Sequence, residues 1–238
     1  HAAASGKPSL TLHPIGVPHL DINAVPKFGG KSGFAPPPST RLAAWWKMLR
    51  NYVDGTELAN QFELTLEVTH HGPWLEVPAL FIEIGSTKET WPHEGAAELL
   101  ARIISDGMGL SSPNGAGLWN SDNNAGELVL ITLGGGHYAP RANKLASMDG
   151  VWLGHMLATY ALPFEKSEDE HQQPGGTWKQ SIDSALDATK TAFPNGKIIC
   201  SMDKKAFRGW QRQAIRDHLA EVNIPLLTTK QIIEMLDK

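Results

Sequence analysis

Along Phe62-Glu63-Leu64-Thr65-Leu66-Glu67-Val68-Thr69 apolar and polar residues alternate strictly, the two-residue period of a half-buried strand. The run delivers His70 and His71 at its C-terminal end. Successive strand side chains point to opposite faces, so the two imidazoles are expected on opposite faces, with one of them in any shared pocket. The same alternation runs through Ser9-Leu10-Thr11-Leu12-His13 and is stopped by Pro14. Ala79–Ile84 is apolar on both faces, which predicts a central strand with Glu83 as its one ionisable member. Further strands are predicted over Glu127–Leu133, Val151–Leu162 with His155 in its middle, Ile198–Met202 and Pro225–Leu227.

Helical spacing appears between these runs. Leu42, Trp45, Trp46, Leu49 and Val53 form one apolar stripe, with Ser39 or Thr40 as its cap and Gly55 as its end. Helices are also predicted over Glu94–Asp106, Trp178–Phe193 with Thr177 as cap, Lys204–Val222 and Thr229–Leu236. Residues 15–38 are rich in Pro and Gly and read as a long loop or lid. The Gly- and Asn-rich stretch 111–126 offers Trp119 as a mobile aromatic cover, and 165–176 reads as a surface loop. Strand and helix alternating in this way specify a layered α/β fold.

Composition narrows the chemistry. A chain of 238 residues that is 41% hydrophobic can bury a full core. A net charge of −4 and an isoelectric point near 6.2 argue against a surface coated in basic residues to hold nucleic acid. Cys200 is the one cysteine, which rules out an internal disulfide and a cysteine-rich zinc site, so any metal must be held by histidine and carboxylate. No apolar run approaches the roughly 20 residues of a membrane helix. A cytoplasmic, reducing setting is the expectation.

The histidines carry the functional signal. His71 shares a strand face with Glu67 and Thr69, and His13 also closes a strand. His137 follows Gly134-Gly135-Gly136, where the amides of Gly135 and Gly136 are candidates for holding an oxyanion. Tyr138 and Pro140 lead to Arg141 and Lys144, cations beside the same pocket. His155, inside an apolar strand, reads equally as a hydrogen-bonded core residue. Lys204, Lys205, Arg208, Arg212 and Arg216, with Trp210 among them, form a basic cluster that reads most simply as a solvated helix face.

Five segments occur in order: Leu10-Thr11-Leu12-His13-Pro14, Thr69-His70-His71-Gly72-Pro73, Phe81-Ile82-Glu83-Ile84-Gly85-Ser86, Gly135-Gly136-His137-Tyr138-Ala139-Pro140-Arg141 and Gly150-Val151-Trp152-Leu153-Gly154-His155-Met156-Leu157. Together they resemble the archaeal and plant type of D-aminoacyl-tRNA deacylase. The resemblance implies a three-layer α/β/α fold with a mixed central sheet, similar to phosphorylases and peptidyl-tRNA hydrolases. It implies one domain over 1–238, with relatives carrying an additional segment before the strand that ends in His13. It further implies zinc-dependent hydrolysis of the ester joining a D-amino acid to the 3′ end of tRNA, a chiral proofreading reaction that extends to aldehyde-modified esters.

On that footing His71, His137, Glu83 and His155 are the catalytic candidates, and His70, His71, His137 and Glu83 the zinc ligands, with His13 or His155 as reserves. His13, Thr69, Gly135, Gly136, Tyr138, Arg141 and Lys144 are expected to meet substrate. The partner is the acceptor end of D-aminoacyl-tRNA, with no membrane and no obligate protein partner. Two rivals use the same residues differently. A zinc peptidase or amidohydrolase would need no tRNA, and a non-catalytic RNA-binding module would rely on the 204–216 cluster.

Overall fold

The computed structural model describes residues 6–111, 115–168 and 173–237. In chain order the elements are β1 (Ser9–His13), α1 (Val25–Phe28), α2 (Leu42–Val53), α3 (Leu58–Gln61), β2 (Glu63–Leu66), β3 (Phe81–Gly85), α4 (Glu94–Met108) and β4 (Leu128–Leu133). There follow α5 (Pro140–Ala146), β5 (Val151–Leu157), α6 (Trp178–Ala192), β6 (Lys197–Met202), α7 (Gly209–Glu221) and α8 (Thr229–Leu236).

The strands form two three-stranded sheets. One is mixed, ordered β2-β1-β3, with β1 parallel to β2 and antiparallel to β3. The other is wholly parallel, ordered β5-β4-β6. They run on into one another where the chain beyond β2 meets β5: the Thr69 N–H donates to Met156 O at 2.6 Å, and the Met156 N–H donates to Thr69 Oγ1 at 3.0 Å. The layered, mixed α/β expectation therefore stands, with the central layer divided at this seam.

Burial follows the strand patterns. All six residues of β4 are buried, as a parallel strand covered on both faces requires. One core lies under α2, α4 and α5, where the Leu42, Trp45, Trp46, Leu49 and Val53 stripe packs with Leu10, Leu12 and Leu130. The second lies under α6 and α7, where Trp178, Ile182, Ile215 and Leu219 meet Ile131, Leu133 and Cys200. Burial on this scale is the main favourable term in folding.

Several local expectations are corrected. β1, not β3, is central in the mixed sheet; β3 is an edge strand whose five residues are all half-exposed, so its apolar run faces packing on one side only. Neither Ser39 nor Thr40 caps α2, because the Thr40 hydroxyl donates instead to Gly117 O at 2.7 Å. Thr177 likewise directs its hydroxyl away from the start of α6, toward His19 O. The strand over 151–162 ends at Leu157, and Thr159–Ala161 forms a turn of 3₁₀ helix.

The predicted Lys204–Val222 helix is broken: a 3₁₀ turn over Lys204–Ala206 precedes α7, with Phe207 extended between them. Pro225–Leu227 contributes a single bridge, Leu226 to Cys200, rather than a strand. Trp119 is no cover, because its ring packs on Trp152 and Phe193 and its indole N–H donates to Pro194 O at 3.0 Å. These contacts hold it at the end of the parallel sheet opposite Leu133. Residues 112–114 and 169–172, parts of the two expected surface loops, lie outside the described residues.

Candidate active site

Beyond Leu66 the β2 chain leaves regular pairing. Glu67 bridges Tyr138 and His70 bridges Ile15, and Gly72 turns the backbone at φ +106°, where a Cβ would come within 2.8 Å of Ile15 Cβ. Loss of regular strand geometry overturns the expectation of opposite faces. His70 and His71 lie with ring centroids 4.2 Å apart, and both meet His13, at 4.0 and 5.0 Å. His137 comes from the loop after β4, where Gly134 and Gly135 adopt positive φ, and its ring lies 4.5 Å from that of His70.

Two carboxylates flank the four imidazoles. Glu83 Oε1 is 3.4 Å from His13 Nε2 and 3.9 Å from His71 Nε2. Glu67 Oε2 is 3.5 Å from His70 Nε2 and 3.2 Å from His137 Nε2. Burial would raise the Glu83 carboxyl, but its hydrogen bond to His13 and the charges of His13 and His71 outweigh it and hold the group below its ordinary value. Burial, with the neighbouring charge of His13, pushes His70 down to about 2 and lowers His71 in the same direction.

The hydrogen-bond accounting sets the tautomers. A carbonyl can only accept, so His70 Nδ1–H donates to Val68 O at 2.7 Å and His13 Nδ1–H donates to Pro14 O at 3.0 Å. Without a proton on Nε2 these rings would face carboxylate oxygens lone pair to lone pair, acceptor against acceptor, so each contact needs a proton or another cation between the two atoms. A cation between them resolves that clash, and a ring N–H bound to a backbone carbonyl is how metal-ligating histidines are held. Three overlapping triads have ligand atoms within 4.8 Å of one another: His13, His70 and His71; Glu67, His70 and His137; and His13, Glu67 and Glu83. The donor set fits zinc, and its six members exceed the four ligands of one tetrahedral ion.

The other sequence candidates divide. His155 is fully buried and lies outside the cluster. Thr69 Oγ1 accepts from the Met156 N–H, so its own proton goes to His155 Nδ1 at 3.0 Å, and His155 Nε2–H donates to Pro36 O at 3.0 Å. Burial drives its pKa down to about 4. With both nitrogens used, His155 braces Thr69 and the 15–38 segment.

The Gly135 N–H is committed to Thr159 Oγ1 at 3.0 Å, which removes it as an oxyanion donor and leaves Gly136. Arg141 bonds Met202 O and reaches Asp203 Oδ1 at 3.2 Å, and Lys144 is exposed on α5. Tyr138 carries the bridge to Glu67.

Three residues of the site escape the sequence pattern. Glu67 stands out there only as a neighbour of His71, because it falls on the polar side of the alternation, yet the structure buries it between His70 and His137. Tyr160 places its hydroxyl 3.4 Å from His137 Nδ1, and burial with the charge of Glu67 raises its pKa to about 12. His19 packs edge-on to Tyr160 at 5.7 Å. Neither of these two stands in a pattern that distinguishes it in sequence.

A family model described as D-aminoacyl-tRNA deacylase matches residues 1–227. The chain belongs to the D-aminoacyl-tRNA deacylase family. A deacylase of this name from Arabidopsis thaliana is 44% identical over 229 residues, covering 94% of this chain and 72% of the relative. One from Methanosarcina barkeri is 30% identical over 231 residues, covering 95% of this chain and 62% of the relative. A crystal structure described as a conserved protein of unknown function superposes with a TM-score of 0.70 at 26% identity, over 98% of this chain and 70% of that one. The family name carries the reaction class, a hydrolase acting on D-aminoacyl-tRNA. Among the described residues of this deacylase-family chain, no helix is long and apolar enough to cross a membrane.

Proposed function

We propose that this chain hydrolyses the ester of D-aminoacyl-tRNA, aldehyde-modified esters included, at a zinc centre held by His13, His70, His71 and Glu83. The observation that carries the reading is the pair of Nε2 lone pairs turned toward carboxylates in a cluster of four imidazoles. Zinc bound there would polarise the ester carbonyl and lower the pKa of a water beside it.

The remaining groups supply proton transfer. His137 has the most exposed side chain of the four imidazoles, at 36% against 0, 16 and 19% for His13, His70 and His71. Its Nε2 lies 3.2 Å from Glu67 Oε2, which orients the ring and leaves Nδ1 toward Tyr160 and the open side. From Nδ1 it passes a proton to the departing ribose 3′-oxygen, and the Gly136 amide is placed to meet the developing oxyanion. Discrimination between enantiomers rests on how the pocket walls seat the side chain and α-amino group. The cytoplasm, where aminoacyl-tRNA is used, is the compartment that fits this role.

The test is deacylation of D-tyrosyl-tRNA beside its L counterpart, with chelator and with zinc added back. Loss of the D ester alone, stopped by chelation and restored by zinc, is expected. Equal hydrolysis of both enantiomers, or full activity in chelator, overturns the reading. Cleavage of small amides without tRNA would favour a peptidase instead.

A further inference from the structure

A cleft of about 770 Å³ opens beside the histidine cluster, at the C-terminal ends of β4 and β6. Among the described residues twelve line it, of which five are cations, Arg141, Lys204, Lys205, Arg216 and Lys230, and one, Asp203, is an acid. They come from α5, the 3₁₀ turn after β6, α7 and α8, so the concentration of charge is made by the fold rather than by one run of sequence. It stands against a chain whose net charge is −4.

The partners leave the cleft positive. Arg141 pairs with Asp203 at 3.2 Å and Lys230 with Glu234 at 3.6 Å, so Lys204, Lys205 and Arg216, all exposed, carry the surplus. Among the described residues, Arg216 bonds a neutral partner in its own helix, Gln213 Oε1 at 3.1 Å. The first turn of α8, Thr229–Gln231, forms one wall and adds the partial positive charge of a helix start. The basic run Lys204 to Arg216 is thus sorted: Arg212 is turned inward to Lys204 O and Phe207 O, whereas Lys204, Lys205 and Arg216 face the cleft.

The cleft adjoins the loop that carries His137. A side chain on Gly135 would lie 3.9 Å from Asp203 Oδ2, and Gly135 is two residues before His137. Arg141, in the first turn of α5, is four residues after His137. A polyanion whose reacting end sits among the histidines therefore passes over Asp203 and Arg141 into the cleft.

We infer that this cleft is the binding site for the phosphodiester backbone of the substrate RNA just inside its aminoacylated 3′ end. The inference rests on the proposed deacylation, because it is that reaction which places an RNA terminus at His137. Lys204, Lys205 and Arg216 neutralise backbone phosphates, supplying affinity without reading sequence or the chirality of the amino acid.

The experiment compares metal-loaded wild type with the triple variant K204A/K205A/R216A. It uses three probes: D-tyrosyl-tRNA, the short ester D-tyrosyl-adenosine, and uncharged tRNA in a binding titration. A control variant, K88A/K190A/K197A, removes the same charge from the opposite end of the strands. The expected result is that kcat/KM on the tRNA ester falls about tenfold or more relative to that on the short ester, mostly through KM. The slope of log affinity for uncharged tRNA against log salt should flatten by about two, on the order of 0.7 to 0.9 for each phosphate left without its cation. The control should match wild type.

Equal losses on the long and short esters, an unchanged salt slope, or the same effect in the control overturns the inference. If wild type hydrolyses neither ester, the deacylation reading fails. The titration with uncharged tRNA then decides the cleft by itself: an unchanged salt slope in the triple variant overturns it.

Discussion

Half-buried His70 and fully buried His155 both neighbour Thr69, and the difference between them separates a proposed ligand from a strut. His70 gives its Nδ1–H to Val68 O and turns its Nε2 lone pair to Glu67, so one end of the ring is fixed and the other is offered. His155 has both ends fixed, receiving a proton from Thr69 and donating one to Pro36 O. Burial lowers both pKa values, to about 2 and about 4, so the shift alone does not tell them apart. The partner at the second nitrogen does. A buried imidazole with one nitrogen facing a carboxylate and the other on a carbonyl is prepared for a cation; one with two neutral partners is part of the frame.

The largest effects should come from the offered side. His13→Ala removes a ring held at Pro14 O and facing Glu83, and is expected to abolish both zinc retention, read by elemental analysis of dialysed protein, and turnover. Metal retained at wild-type stoichiometry would remove His13 from the ligand set. His137→Ala should keep the metal and lose about 10² to 10⁴ in kcat, the usual worth of a general acid. If zinc leaves with it, His137 belongs among the ligands and the proton carrier lies elsewhere.

The strut predicts a stability effect instead. With a folded value near 4 against 6.5 unfolded, His155 binds its proton more readily once the chain unfolds. Its contribution is therefore complete above pH 6.5 and is lost as the pH falls toward 4, by roughly 3 kcal/mol over that interval. Denaturant melts of metal-free wild type and His155→Phe should converge as pH falls through this window, since the variant lacks the titration. Parallel curves would mean that His155 is not buried neutral. Smallest is Tyr160→Phe, which deletes one hydrogen bond to His137 and should cost about tenfold or less in kcat with zinc unchanged.

The same contrast explains how much could be read from sequence. α2, α4, α6 and α8 follow from period and punctuation because each buries one continuous face, which the stripe records, and β1 from its alternation and the proline that stops it, although both of its faces are buried. The segments bearing His70, His71 and His137 are visible as histidines at strand ends. Their convergence is not, because it depends on the irregular backbone after Leu66 and on a bridge between Glu67 and Tyr138, 71 residues apart in the chain. His155 misleads as well. Its place inside an apolar strand does not reveal the one-residue slip in register between β5 and β4 beside it, and its partners, Thr69 and Pro36, are distant in sequence. The edge position of β3 is equally hidden, since an apolar run does not say which face remains open.

The seam at Thr69 bears on how the proposed zinc centre would be assembled. One threonine is bound through its amide and hydroxyl to Met156 and through the same hydroxyl to His155, and it immediately precedes the two histidines of the site. The parallel sheet, with its own core under α6 and α7, thereby anchors the loop that carries His70 and His71. If zinc is held there as proposed, folding and metal uptake are expected to be separate events, unlike small zinc domains in which binding free energy is folding free energy. A chain stripped of the metal would then keep its native shape, and added zinc would restore activity at the speed of ligand exchange rather than of refolding.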